Sequence, residues 1–396
     1  MSDALPLPPR PDIDHYRKLA KELRRACRAG GNGAVYGWAH HLIEGLTRLR
    51  DAAAQAGAID HTAHRVAQRW AKWATPERAT RCLLTDAQYF LALEHGFASW
   101  PQFVSHLAGL NEAGSHISMF ETAADAIVAG DVVTLRALLR AHPGLARARS
   151  TRAHRSTLLH YVSANGVEDY RQKTPTNILE LTQALIDAGA DVNAQSEAYG
   201  GGSTVLGLTA TSIHPETAGV QTALFEVLLG AGASMTSDLT IRGCLANGQG
   251  DAARFFADRG LPMDLEEAAG VGRLDVVRRY VDAEGALQNG ATREQLESGF
   301  RYACGYGHIE VATFLLDGGI DPNVANDEGQ TALHWTAYGP HLEIARLLLA
   351  RGARRGTRDR HGAMPVDWAR RMLSWRTDTG ARKRAEELVQ LLAADP

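Results

Sequence analysis

Apolar side chains recur at helical spacing along most of the chain, in short segments separated by glycine. The segments 307–316 and 340–349 lie 33 residues apart, carry apolar residues at matching positions and end in leucine pairs, and 130–139 has the same arrangement. Apolar residues at this spacing line one face of a helix. The pattern predicts an all-α protein in which a short buried helix is repeated.

A glycine follows each of these predicted helices and marks the period of the repeat. Glycine adopts the left-handed conformation that ends many helices. Consecutive glycines are 45, 43, 28, 25, 34 and 33 residues apart. They are Gly144, Gly189, Gly232, Gly260, Gly285, Gly319 and Gly352. One unit therefore repeats along the chain, twice with insertions and twice with deletions, so that the units of 240–290 are short.

These segments resemble ankyrin repeats, whose units open on T-P-L-H, continue through two helices and close on G-A-D-V-N-A. Residues 157–160 and 331–334 match the opening, and 189–194 match the close. The resemblance covers residues 118–396 and implies a solenoid of about seven to eight units. Stacked units share one continuous core and need polar ends. The charged helix at 381–393 is therefore expected to cap the stack.

The N-terminal part of the chain lacks the repeat. Residues 13–115 predict a separate helical domain, which is similar to a module that precedes ankyrin repeats in bacterial proteins. Residues 1–12 are rich in proline and are expected to form a disordered start. They lack the apolar region of a signal peptide, and no stretch of the chain approaches the length of a membrane span. A cytoplasmic location is the expectation.

Cysteine and histidine give no metal or cofactor site. The four cysteines are Cys27, Cys82, Cys244 and Cys304, and their wide separation predicts reduced, mostly buried thiols. His61 and His64 share one helical face, but Asp60 is the only nearby carboxylate and a zinc site needs more ligands. We expect no metal and no cofactor.

Charge is distributed unevenly along the chain. Residues 1–115 carry 14 Lys+Arg and 11 Asp+Glu, residues 116–339 carry 16 and 27, and residues 340–396 carry 12 and 7. The central region is therefore strongly acidic and repels phosphate backbones. This argues against nucleic acid as the main ligand.

The resemblance implies a protein-binding role. In ankyrin proteins the hairpin tips and the exposed positions of each first helix line a concave binding face. The matching positions here are Glu294, Tyr302, Tyr306, Asp327, Glu328, Gln330, Trp335 and Tyr338. Tyr302 and Trp335 are open to a second interpretation, burial in the stack. The first hypothesis is a protein-binding scaffold without an assigned catalytic residue, because none of the common catalytic motifs occurs.

Two insertions in the repeats indicate an alternative to the scaffold hypothesis, namely a small-molecule or enzymatic site. The second and third repeats carry 11 and 7 extra residues between their helices, near 166–176 and 213–219. Both leave the same edge of adjacent repeats, so they are expected to touch and to wall a pocket. Its binding candidates are Tyr161, Tyr170, Arg171 and His214. The candidates for general acid–base chemistry are His214, Glu216, Asp169, Tyr170 and Tyr161.

Overall fold

The computed structural model describes residues 4–30, 32–49, 56–235, 240–375 and 379–394. The protein is all-α, with 63% helix. It divides into two compact units, Met1–Asp238 and Leu239–Pro396. The predicted fold class is confirmed.

The first unit begins with six helices packed around an aromatic core. The core contains Tyr16, Phe90 and Phe103, which are fully buried. Helix α1 packs on α2 and α5, and α2 packs on α3. The helices are α1 (Ile13–Ala29), α2 (Asn32–Leu49), α3 (Ala56–Trp73), α4 (Pro76–Arg81), α5 (Leu84–Glu94) and α6 (Trp100–Asn111).

The start of the chain is ordered, contrary to the expectation of disorder over 1–12. The described part, residues 4–12, lies against the end of α5. The backbone N–H of Leu5 donates to the Glu94 carbonyl at 2.6 Å, and a ring nitrogen of His95 lies 3.0 Å from the Leu5 carbonyl oxygen. Leu5 is 4% exposed. Its burial anchors the proline-rich segment; residues 1–3 lie outside the described residues.

Two of the four cysteines form a disulfide, so the expectation of four reduced thiols was wrong. Cys27 near the end of α1 is bonded to Cys82, which follows α4, across 55 residues of sequence. Their Cα atoms are 5.9 Å apart, because α1 packs against the short helix α4. The separation in sequence gave no sign of this proximity. Cys244 and Cys304 are buried free thiols.

Three helix pairs complete the first unit. The second pair opens with the 3-10 helix Leu158–Ser163, and a two-stranded antiparallel hairpin, β1 (Gln195–Ser196) and β2 (Ser203–Thr204), precedes the third. The α-helices are α7 (His116–Ala129), α8 (Val132–Ala141), α9 (Ile178–Asp187), α10 (Val205–Ala210), α11 (Ile213–Thr217) and α12 (Gln221–Gly230).

The second unit continues the repeat, and its helices from Leu265 onward share one apolar core. Leu265, Phe300, Leu333 and Leu348 are fully buried in that core. Its helices are α13 (Ile241–Ala246), α14 (Gly250–Asp258), α15 (Leu265–Gly270), α16 (Leu274–Val277), α17 (Arg293–Gly305), α18 (Ile309–Asp317), α19 (Ala332–Trp335), α20 (Leu342–Ala350), α21 (Pro365–Trp375) and α22 (Thr379–Ala393). The short units of 240–290 therefore still form helix pairs, and α22 occupies the place of the predicted cap.

Six of the seven periodic glycines have the left-handed backbone that the sequence predicts. Gly189 has a φ of 84° and Gly352 a φ of 88°. Gly144 differs, because it lies inside the 3-10 helix Pro143–Arg147 instead of ending α8. The first unit of the repeat thus closes through a proline-led turn.

His160 and His334 bond backbone groups through both ring nitrogens. Nδ1 of each ring accepts the backbone N–H three residues earlier, Thr157 or Thr331, at 3.1 Å. Nε2 therefore carries the proton and donates to the Ser203 or Ala363 carbonyl, at 3.3 and 3.2 Å. Each imidazole thus joins the start of one repeat to the hairpin of the next.

No helix in the described part of the chain has both the length and the apolarity needed to cross a membrane.

Replacing Leu348 by alanine should lower the free energy of unfolding by about 2–5 kcal/mol, the usual loss on opening a core cavity. Leu348 is fully buried between neighbouring helices. Urea denaturation followed by circular dichroism measures the loss. Arg346→Ala, at an exposed position of the same helix, is the control and should change stability by less than about 0.5 kcal/mol. Equal effects would contradict the packing described for α20.

Stability should fall as the pH drops from about 6.5 toward 4, because several imidazoles are buried in the neutral form. Burial lowers the pKa of His95 to about 3 and the pKa values of His106, His160 and His308 to about 4. The unfolded chain, with histidine pKa values near the ordinary value of 6.5, binds protons first, so protonation favours unfolding in this window. A thermal midpoint that is unchanged between pH 7.5 and 5 would contradict this.

Candidate functional site

A buried network of charges lies at the first insertion. Arg152, 1% exposed, pairs with Glu168 and, at 3.2 Å, with Glu121. Arg171 from the insertion donates from Nη1 to Oε2 of Glu121 at 2.7 Å and reaches Asp125 with its other nitrogens. The insertion is thereby tied to α7, the first helix of the preceding repeat.

Opposite charges hold this network ionised. Burial alone would raise the pKa values of the Glu121 and Glu168 carboxyls, but Arg171 and Arg152 outweigh it. The pKa of Glu121 falls to about 2, and the pKa of Glu168 lies well below its ordinary value. Burial alone would lower the pKa values of Arg152 and Arg171, but the nearby carboxylates and tyrosines raise them above the ordinary value. All four groups are therefore charged at neutral pH.

Two tyrosines complete the network. The Tyr161 hydroxyl donates to Glu168 at 3.4 Å, and the Tyr170 hydroxyl accepts from Arg152 at 3.3 Å. Tyr161 is fully buried, and burial raises its pKa well above the ordinary value. Tyr161 therefore belongs to the core and does not form the floor of a pocket, contrary to the expectation.

A cavity of about 410 Å³ opens beside the network. The chain start, the end of α6, helix α7 and the first insertion form its walls. Its lining residues are Leu7, Pro8, Pro9, Leu110, Ser118, Glu121, Thr122, Asp125, Arg152, Tyr170 and Arg171. The cavity thus offers hydroxyl and carboxylate oxygens beside two guanidinium groups and a small apolar wall.

The second insertion does not contribute to this cavity. Helix α11 packs on α12 of its own repeat, and Pro215 is buried there. His214 and Glu216 are not among the cavity-lining residues, and Asp169 in the first insertion is exposed to solvent. The charged side chains of the first insertion turn toward α7, so this cavity is walled by the first insertion and not by both.

Five aromatic rings in the second unit form a connected surface, which we call the aromatic surface. Its members are Tyr302, Tyr306, Trp335, Tyr338 and Trp368. Ring centroids lie 6.1 Å apart for Tyr306 and Tyr302, 5.3 Å for Tyr302 and Trp335, and 5.6 Å for Trp335 and Tyr338. The rings of Tyr338 and Trp368 are 5.7 Å apart. The surface thus continues across three successive repeats.

The rings of the aromatic surface differ in exposure. Tyr338 is 45% exposed, whereas Tyr302 is buried. Tyr306 and Trp335 are partly buried, and the Tyr306 hydroxyl donates to the Leu245 carbonyl. Of the two interpretations left open by the sequence, burial applies to Tyr302 and partial exposure to Trp335.

The polar candidates of the hairpins divide into two groups. Glu294 and Asp327 are exposed. Glu328 instead pairs with Arg360, and Gln330 hydrogen-bonds Asn326 within its own hairpin. Glu328 and Gln330 are therefore occupied within the fold, while Glu294 and Asp327 face solvent.

Sequence reasoning missed Glu121, Arg152 and Arg301. Glu121 and Arg152 lie 31 residues apart with no shared motif, and only the fold brings them together. A signal was present for Glu121, which occupies an otherwise apolar face of α7 beside Phe120, Ala123 and Ala124. Among the described residues there is no cluster of three His, Cys, Asp or Glu side chains that could hold a metal ion.

The family model of ankyrin repeats, in three copies, matches residues 265–370. A protein of Treponema pallidum (strain Nichols) described as ankyrin repeat-containing is 32% identical over 132 residues, which are 31% of this chain and 44% of that protein. XBOS33 of Oryza sativa subsp. japonica, described as a probable E3 ubiquitin-protein ligase, is 35% identical over 85 residues, which are 22% of this chain and 16% of that protein. The chain is an ankyrin-repeat protein.

The chain spans less than half the length of either relative. Among solved structures, the human ASB11 ankyrin repeat domain aligns with 69% of this chain and 98% of that chain, at 17% identity and a TM-score of 0.32. Ankyrin repeats are a protein–protein interaction module.

Arg171→Leu should lower the free energy of unfolding by about 3–5 kcal/mol, because it leaves buried carboxylates without compensation. Thermal and urea denaturation measure the loss. Arg136→Leu removes a pair with Glu180 whose side chains are 51% and 46% exposed. Arg136→Leu is the control and should lower the free energy of unfolding by no more than about 1 kcal/mol. A similar small loss for Arg171→Leu would mean that the insertion is not anchored through this arginine.

Proposed function

We propose that the protein binds another protein through the aromatic surface of its second unit. The observation that carries the proposal is the exposure of Tyr338, which lies between Trp335 and Trp368 in a series of five rings, each in contact with the next. Such rings are held in place by their neighbours, so they bury area at little cost in side-chain entropy. Exposed carboxylates at Glu294 and Asp327 add a polar rim.

In this proposed role the protein is a binding scaffold and not an enzyme. Tyr338 and Trp335 offer contact area and hydrogen-bond donors, which serve recognition. The acid–base candidates of the sequence do not converge, since Tyr161 is buried while His214 and Glu216 lie on another element. The acidic character of the central region likewise favours a protein partner over nucleic acid.

A small polar ligand at the cavity beside the first insertion is the second candidate function. The cavity of about 410 Å³ and its two guanidinium groups favour it. Thr122→Trp places a large side chain in this cavity from an exposed position of α7. A thermal-shift screen of small polar metabolites should then find compounds that stabilise the wild type and not Thr122→Trp, because only a bound ligand stabilises the fold.

Shortening the first insertion is not a clean test of that ligand site. Surface loops usually tolerate shortening, but Glu168 and Arg171 are buried parts of the network. Removing them would destabilise the fold as well as the cavity.

Tyr338→Ala should reduce partner binding by at least about tenfold, the usual effect of truncating a central aromatic contact. Chemical cross-linking in cells, followed by mass spectrometry, identifies proteins captured by the wild-type chain. The control is Tyr199→Ala, which removes a 68% exposed tyrosine of the first unit. A partner set that is unchanged by Tyr338→Ala would contradict the proposal.

A further inference from the structure

Arg301 is a largely buried arginine without a hydrogen-bond or ion-pair partner among the described residues. It lies in the C-terminal half of α17, next to Tyr302 of the aromatic surface, and is 8% exposed. Its Nη1 is inaccessible to solvent, and the side chain forms no hydrogen bond or ion pair with any residue that the structure describes. A buried charge in this state costs free energy unless something else compensates it.

Of the three carboxylates whose charge acts on Arg301, Glu266 and Glu297 are paired with other arginines and Asp327 is exposed to solvent. Glu266 pairs with Arg242 and accepts the Ser298 hydroxyl at 2.6 Å. Glu297 pairs with Arg293 at 2.8 Å. Burial lowers the pKa of the Arg301 guanidinium, although Glu297 and Glu266 oppose this from a distance.

This chain pairs its other deeply buried arginines. Arg152 and Arg171 each contact two glutamates, Glu121 and Glu168. Arg301 is nearly as well buried, but it forms no hydrogen bond or ion pair with a described residue. Among the described residues, no group does for Arg301 what Glu121 and Glu168 do for the other two arginines.

A second unpaired donor lies on the same surface. The indole Nε1 of Trp335 is shielded from solvent and hydrogen-bonds no group in the described part of the protein. Trp335 contacts Tyr302, the neighbour of Arg301 in α17. Arg301 is a donor that carries a positive charge, so the partner that suits it is an anionic acceptor.

We infer that Arg301 binds a carboxylate of a protein partner, and this inference rests on the proposed binding role of the aromatic surface. The carboxylate is a single aspartate, glutamate or chain terminus, flanked by neutral or basic residues. An acidic run or a phosphate dianion would be repelled by Glu266, Glu297 and exposed Asp327, whose charges act on the same site. A guanidinium can hold a carboxylate with two parallel hydrogen bonds.

The first test measures stability in the absence of any partner. Arg301→Met keeps most of the side-chain volume and removes the unpaired charge, so the thermal midpoint of the full chain should rise. Arg171→Met is the matched control, and its midpoint should fall because Glu121 and Glu168 lose a partner. A clear fall for Arg301→Met would show that the fold itself pairs this arginine and would overturn the inference.

The second test measures recognition. Peptides are selected on the full chain from a phage-displayed random 12-residue library, and one selected peptide is compared with its variant in which the acidic residue is replaced by the amide. The amide should weaken binding to the wild type by at least about tenfold, as expected for a close charge pair. It should change binding to Arg301→Met by less than about twofold. Phosphate at 10 mM, the competing probe, should not displace the peptide.

The outcomes separate the inference from the proposed function. Peptides that need Tyr338 but show equal amide effects on both proteins leave the aromatic surface as the binding site and overturn the role of Arg301. Peptides that need Arg301 but not Tyr338 support the carboxylate site and contradict the wider surface. Failure to recover any peptide whose binding depends on Arg301, or displacement by phosphate, overturns the inference.

Discussion

Every repeat of this protein depends on its neighbours to cover its apolar face. The helices are short, down to the four residues of α16, and such helices are not stable in isolation. Leu265, Phe300 and Leu348 come from different repeats yet share one core. Because stacking of the repeats supplies the stability, the residues on the solvent-facing side of each first helix are not needed for packing. Tyr338, which follows α19 and is 45% exposed, is the most open ring of the aromatic surface.

Buried arginines occupy two kinds of environment along the chain. In the first unit, Arg152 and Arg171 are matched by two glutamates, and the insertion that supplies Arg171 becomes part of the core. In the second unit, Nη1 of Arg301 has no hydrogen-bond partner among the described residues. Matched ions fix one arrangement of the fold, whereas an unmatched ion costs free energy that a bound acceptor would recover. In the proposed function, the first site is therefore structural and the second serves recognition.

The sequence predicts the repeats well and the sites poorly, for a physical reason. Periodic leucines and glycines report local helix geometry, so helices such as α18 and α20 follow from spacing alone. The charge network depends on contacts across tens of residues, such as Arg171 with Glu121, and no local pattern encodes them. The same holds for the Cys27–Cys82 disulfide and the anchored chain start.

The network at the first insertion also constrains how the array can evolve. Solenoids commonly gain or lose whole units, because each unit contacts only its neighbours. Here Arg152 donates to the His95 carbonyl in the helical domain and pairs with Glu121 in the first repeat, while Arg171 comes from the second. Duplicating or deleting a unit between these residues would separate the charges. The N-terminal end of the array is thus fixed in length, and variation in repeat number is confined to the units that follow.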